Sequence, residues 1–324
     1  MKVLHVSWRS RAEGELGGVE KFAAYFQDAM RARGHDCRIV AWSDYPGEAR
    51  LRSISNPDRA LILGSWIDSE LDFDVAVVDG YWGIGITGRP VVPVVHGTWA
   101  GFHVNMGNAS WDTHPEVAAQ HTAFTATNAH PVACSPASAR ELERYHHRTA
   151  PVILHGVDLD IFTPQKNGRD VAAGAPLVLE AAGKNVKKGS EIIPAIAREL
   201  RPDFRVEYLN AGAGQEAARF QAGEVFLHPS RHEGNAYALL EAMAVGLPIV
   251  TSNVGLFEDI EDLVVGRVLP VRATVKQWGD AVRDVWGDGV VPYRHYAKNA
   301  RSWMRQHGTI DRFRREWCDF VEAL

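Results

Sequence analysis

Short apolar runs alternate with segments of helical period along the whole chain. Residues 2–8 (KVLHVSW) form the first run. Val19, Phe22, Ala23, Phe26 and Met30 then recur at helical spacing over 18–33, and Gly34 ends the pattern. Further runs lie at 37–42, 75–80, 91–97, 131–135 and 151–156. Each reads as a strand apolar on both faces, the mark of a parallel sheet covered by helices. The second half repeats the plan, with strands expected at 176–183, 205–210, 224–229, 248–253 and 266–270 and helices at 190–201 and 236–245. Three helical patterns, near 274–287, 293–306 and 309–323, close the chain.

The halves are separated by FTPQKNGRDVAAGAP, rich in Pro, Gly and polar residues, as a linker would be. The expected organisation is α/β: two Rossmann-like domains facing across a cleft, residues 1–160 and 161–304, with 305–324 returning to the first. Ligands of such sheets gather beyond the carboxyl ends of the strands.

Composition narrows the function. The chain has 324 residues, enough for two cores, with 46% hydrophobic and 23% charged residues. A net charge of −5 argues against nucleic acid as a partner. The three cysteines, Cys37, Cys134 and Cys318, show no metal-ligand spacing and suit a reducing compartment. No apolar run approaches the ~20 residues of a membrane span, and the amino terminus reads as a strand rather than a leader. The protein is expected to be cytoplasmic.

The chemistry concentrates in one stretch, His228 to Pro248, which reads strand, loop, helix, turn, strand. Gly234 permits a tight turn, and Asn235 is a good N-cap for a helix starting near Ala236. A helix start presents unbonded N–H groups and a positive dipole end, a natural seat for a diphosphate. Glu233 precedes that start and Glu241 follows about one and a half turns into the helix. Each carboxylate can accept from two neighbouring hydroxyls of a sugar or ribose. Taken alone, Glu241 would read as an ordinary surface acid on a helix; the whole string argues otherwise.

The string EGNAYALLEAMAVGLPIV (233–250) resembles the signature of the retaining family 4 glycosyltransferases, which have the GT-B fold: a Glu, seven residues, a second Glu, Ala-Met-Ala, then Gly-x-Pro. The resemblance implies that Glu233 contacts the transferred sugar, that Glu241 binds the ribose, and that amides of Asn235, Ala236 and Tyr237 beside Gly234 meet the phosphates. Other motifs follow the family's order. Gly17-Gly18-Val19-Glu20 after the first strand resembles its ligand-contacting glycine loop, which implies that Gly17 and Gly18 contact the donor. His96-Gly97-Thr98 resembles the strand-end His near the donor sugar, although a structural role for His96 stays open. In Gly183-Lys184-Asn-Val-Lys187-Lys188-Gly189, Lys184 stands where relatives carry Arg. Lys184 and Lys188 are the expected diphosphate clamp, and Lys187 is expected to be solvated.

The implied activity is retaining transfer of a sugar from a nucleotide-diphosphate sugar to a glycan, lipid or small-molecule acceptor, without a metal. Asp72-Phe-Asp74 and Asp158-Leu-Asp160 mimic a divalent-metal triplet, but the α/β context argues against it. The second half is trimmed: only a short helix fits between Gly214 and residue 224. Rival readings are an epimerase or hydrolase of the same fold and a non-catalytic subunit that binds nucleotide sugar or glycan. A third, a nicotinamide enzyme suggested by Gly212-Ala-Gly214, places its fingerprint at the wrong strand. Finally, Arg294, Lys298, Arg301, Arg305, Arg312, Arg314 and Arg315 lie beside Trp303, Phe313 and Trp317, a pattern that allows peripheral contact with an anionic membrane face.

Overall fold

The structure, a computed structural model, describes residues 1–9, 17–51, 53–164, 175–210, 214–262, 264–287 and 291–324. The chain forms two compact units, Met1–His155 with Asp311–Leu324, and Gly156–Ile310. Most of the linker, and Gly212 and Ala213 of the nicotinamide-like triplet, lie outside the described residues.

In the first unit the elements run β1 (Lys2–Ser7), α1 (Gly18–Ala32), β2 (Asp36–Ala41), α2 (Asn56–Glu70), β3 (Val75–Asp79), β4 (Val91–Val95), α3 (Trp99–Met106), α4 (Pro115–Thr125), β5 (Val132–Ala133) and α5 (Pro136–His146). The second unit holds β6 (Leu177–Glu180), α6 (Ile193–Glu199), β7 (Arg205–Tyr208), α7 (Glu216–Ala222), β8 (Val225–His228), α8 (Tyr237–Ala244), β9 (Ile249–Ser252), β10 (Gly266–Leu269), α9 (Val275–Trp286) and α10 (Val291–His307). A last helix, α11 (Ile310–Glu322), brings the chain back to the first unit from Asp311 onward.

Each unit is built on a five-stranded parallel sheet, ordered β2-β1-β3-β4-β5 in one and β10-β9-β8-β6-β7 in the other. Counted within its own unit, each sheet has the doubly wound order 2-1-3-4-5. Parallel neighbours require a crossover over the sheet face, so the central strands are covered on both sides. That is why β3, β4, β6, β8 and β9 are buried at every position. The order reverses between the first and third strands, β1/β3 and β6/β8. There the flanking crossovers part to opposite faces and leave a crevice at the carboxyl ends.

Two expectations need correction. Residues 151–156 form no strand. Ile153 donates to the Ala133 carbonyl and Ala133 to that of Pro151, giving one isolated bridge. Pro151 has no N–H to give, and β5 is only two residues long, so the ladder cannot extend. The N-cap of α8 is Ala236 rather than Asn235, and no side chain caps it. Four helices, α2 to α5, were not anticipated. Their starts carry readable signals all the same: Ser55 Oγ accepts from the Asp58 amide ahead of Pro57, and Ser135 Oγ from the Ser138 amide ahead of Pro136.

α11 is an integral part of the first unit. Trp317 is 1% exposed, with its ring centroid 5.3 Å from Phe22 and 5.4 Å from Phe26 of α1. Arg312 donates to the carbonyls of Leu154 and His155 and pairs with Glu316. In α10, Arg301 donates to the carbonyls of Phe162, Leu159 and Ala244. Phe313 and Trp317 thus face the core, and Arg301 and Arg312 serve main-chain carbonyls rather than a lipid surface. Arg294, Lys298, Arg305 and Arg315 are exposed. No helix among the described residues is long and apolar enough to cross a membrane.

Trp317→Ala should cost about 3–5 kcal/mol, the usual range for deleting a buried aromatic. A urea denaturation midpoint equal to that of the unaltered protein would show that α11 is not part of this core.

Candidate active site

In the second unit the loops after β6 and β8, the strands at the reversal of sheet order, carry most of the residues singled out from the sequence. After β6, Gly183 adopts a left-handed turn (φ +54°) and the Asn185 side chain accepts from the Lys187 amide. This starts a single 3-10 turn, Val186–Lys188, closed by left-handed Gly189 (φ +75°). A Cβ on Gly189 would lie 2.1 Å from the Pro229 carbonyl oxygen, so only glycine lets the lysine turn lie against the loop after β8. The two loops are also stitched together directly: the Arg231 amide donates to the Lys187 carbonyl, and Ser230 Oγ lies 3.1 Å from the same oxygen.

Glu233 lies inside this double loop, with its side chain 15% exposed. Its Oε1 is 3.1 Å from Nε2 of His228 and accepts from Ser230 Oγ at 2.9 Å. Burial pushes its pKa up, but the hydrogen bond and charge of His228, then the charges of Lys188 and Lys187, outweigh that. The carboxyl is held well below its ordinary range. Lys188 and Glu233 are therefore electrostatic neighbours. Lys187, expected to be solvated, is half-buried, adds to the same field and is anchored through its carbonyl. Lys184 is exposed on the turn. Glu180, at the end of β6, accepts from the Ala182 amide, and burial raises its pKa despite the main-chain bonds and nearby His228.

Gly234 and Asn235 are buried between Glu233 and α8. A Cβ on Gly255 would meet the carbonyl oxygens of Gly234 at 2.3 Å and Glu233 at 2.5 Å, and the Leu256 amide donates to Gly234. The 3-10 turn Gly255–Glu258 thus fixes the backbone entering α8. Ala236 opens the helix, Tyr237 is its first residue, and Glu241 is buried within it. His228, Ser230 and Gly255 received no role from the sequence. His228 and Ser230 lie just ahead of the 233–250 signature, and their pairing with Glu233 exists only once the loop has turned back on itself.

The remaining sequence candidates belong to the first unit. Gly17 is the extended N-cap of α1 and Gly18 its first residue. The Glu20 carboxylate folds back over Gly17, where a Cβ would approach Oε2 to 2.6 Å. His96 follows β4, and its Nε2 is 3.0 Å from Oδ1 of Asp79, the last residue of β3. His5 of β1 approaches the other oxygen of Asp79 at 3.5 Å. Burial disfavours the Asp79 charge, but the two imidazoles more than compensate and hold its pKa well below the ordinary value. Asp79 ends the run VAVVDG and was read from the sequence only as a strand residue.

The metal-like triplets are used otherwise. Asp158 accepts from the amides of Asp160 and Ile161 in a tight turn, while Asp72 and Asp74 bind the side chain and amide of Lys2.

Both units resemble known proteins. Residues 16–161 match the family described as Glycosyltransferase Family 4, and residues 171–288 match Glycosyl transferases group 1. The chain belongs to the family 4, group 1 glycosyltransferases. Sucrose-phosphate synthase from Thermosynechococcus elongatus superposes over 100% of this chain and 99% of its own with a TM-score of 0.82 at 14% identity. Anabaena HepE, in a structure with UDP-glucose, covers 100% of both chains with a TM-score of 0.76 at 15% identity. These likenesses establish the GT-B fold. The O-antigen biosynthesis glycosyltransferase WclY of Escherichia coli is 32% identical over 107 residues, a match spanning 33% of this chain and only 28% of that protein.

Glu233 gives a pH prediction. Its folded pKa lies below the unfolded value of about 4.3, so its ionised form adds stability that is complete above that pH. This stability is lost as pH falls through the folded pKa. Unfolding free energy should decline on acidification below about pH 5, and His228→Ala should shallow that decline. Parallel loss in both proteins would show that His228 does not hold the Glu233 charge.

Proposed function

We propose that this protein transfers a sugar from a nucleoside-diphosphate sugar to an acceptor hydroxyl, with retention at the anomeric carbon and without a metal. The observation that carries the reading is the pairing of the lysine turn with Glu233 at the β6/β8 reversal, immediately before α8. This puts cations, a charged acid and a helix start with no side-chain cap in one place. Such a set suits a ligand with an anionic middle and hydroxyl-rich ends.

In this reading the second unit binds the donor. The diphosphate lies against Lys184, Lys188 and the amides of Asn235, Ala236 and Tyr237. Glu233, kept ionised by His228 and Lys188, accepts from hydroxyls of the transferred sugar, and Glu241 takes the ribose. The first unit binds the acceptor, Gly17 and Gly18 are further donor contacts, and His96 acts beside the reacting sugar. The bond from the anomeric carbon to the phosphate oxygen breaks as the acceptor oxygen bonds to that carbon from the same face. The acceptor proton passes to the departing phosphate. Charge on that phosphate grows through the step, so the lysines bind the transition state more strongly than the ground state. The UDP and UDP-glucose named in the HepE structures support a nucleotide-sugar donor of this kind.

The test is transfer from radiolabelled UDP-, GDP-, ADP- and TDP-sugars to a panel of glycan, lipid and small acceptors. Transfer consumes donor only with acceptor present, epimerisation needs none, and a pure binding subunit releases no nucleotide. With the working donor, Lys188→Ala should lower kcat about a hundredfold with little change in donor KM. Glu241→Ala should raise donor KM roughly tenfold or more through lost hydrogen bonds to a charged acceptor. Wild-type constants in both variants would overturn the assignment.

A further inference from the structure

The first unit contains a cluster of which only His96 has a part in the proposed transfer. His96, Cys134 and His155 each offer one donor atom, and the three lie within 4.8 Å of one another. They come from separate places in the sequence and are gathered by the sheet. His96 follows β4. Cys134 follows β5, and its amide donates to the carbonyl of Val95 in β4. His155 ends the segment bridged to Ala133, and its carbonyl is gripped by Arg312 of α11. The Phe22 ring packs against both imidazoles, at 5.1 Å from His96 and 5.7 Å from His155.

We infer that this triad is a binding site for a soft or borderline divalent cation, with zinc the best match, and that its occupancy inhibits the enzyme. Two imidazoles and a thiolate are the donors such cations select. Tetrahedral zinc, with bonds of about 2.0–2.3 Å, needs its ligand atoms about 3.3–3.7 Å apart. The cluster reaches that spacing by closing about 1 Å, a small side-chain movement. Asp79 supplies the outer support: it holds Nε2 of His96, which leaves Nδ1 for the metal, and a carboxylate behind a ligating imidazole is the usual arrangement. Cys134 and His155 are 1% and 4% exposed, whereas the His96 side chain is 21% exposed. The cation therefore enters, and takes a water as its fourth ligand, on the His96 side. Binding releases the thiol proton to solvent. Cys37 lacks such a setting; burial pushes its thiol up to about 12.

The inhibition, though not the binding, rests on the proposed role of His96 in transfer. A metal on its ring removes it from that role. Zinc alone, titrated into the full chain against a chromophoric chelator, should bind at one site. Cobalt(II) should give a thiolate charge-transfer band in the near ultraviolet. Cys134→Ser should abolish the band and keep metal-free transfer at the wild-type rate while becoming resistant to zinc. Asp79→Asn should weaken zinc binding by about 10–100-fold. Absence of the cobalt band in the unaltered protein, or equal zinc affinity in Cys134→Ser, would overturn the site. Stoichiometric zinc binding with transfer unchanged would keep the site and remove His96 from the reaction, so the two failures are distinguishable.

Discussion

A buried carboxylate survives only beside a partner that offsets its lost hydration, and each unit of this protein is organised around one such pairing. Asp79 ends the third strand of the first sheet and is held by His5 and His96. His228 ends the third strand of the second sheet and holds Glu233. The two sheets share one strand order, so both pairings sit at the same topological place, beside the reversal. Burial raises the cost of each charge, and the imidazoles lower it by more.

The consequence for the second unit is an acid that stays ionised close to lysines without being neutralised by them alone. Because His228 and Ser230 already hold one oxygen of Glu233, the carboxylate is fixed before any ligand arrives. The glycines at 189 and 255 do comparable work for the backbone. At each, a methyl group would collide with a carbonyl of the neighbouring loop, so the lysine turn, the Glu233 loop and the start of α8 have a single way to pack. Pre-set groups of this kind need not be ordered when ligand binds.

The first unit shows how much of a compact core can come from distant sequence. Phe22 of α1 touches His96, His155, Phe313 and Trp317, residues drawn from a strand end, the last residue before the second unit, and the terminal helix. The α11 contacts therefore support the imidazole cluster through Phe22 and through the Arg312 hold on the His155 carbonyl.

By itself, the sequence determined the α/β class, the two-part organisation and the family. These depend on local signals: continuous apolar runs for parallel strands, helical spacing between them, and a signature confined to one strand–loop–helix stretch. It also pointed to Glu233, Glu241 and the lysine turn, since their residue types and spacing lie within short segments. It could not show that His228 and Ser230 secure Glu233, that Asp79 secures His96, or that His96, Cys134 and His155 converge. It also misread 151–156 as a strand, because an apolar run does not reveal that its neighbour offers only two residues to pair with. Those decisions belong to tertiary structure, because parallel strands distant in sequence become neighbours only when the crossovers close, and a carboxylate's partners are whatever closure puts beside it.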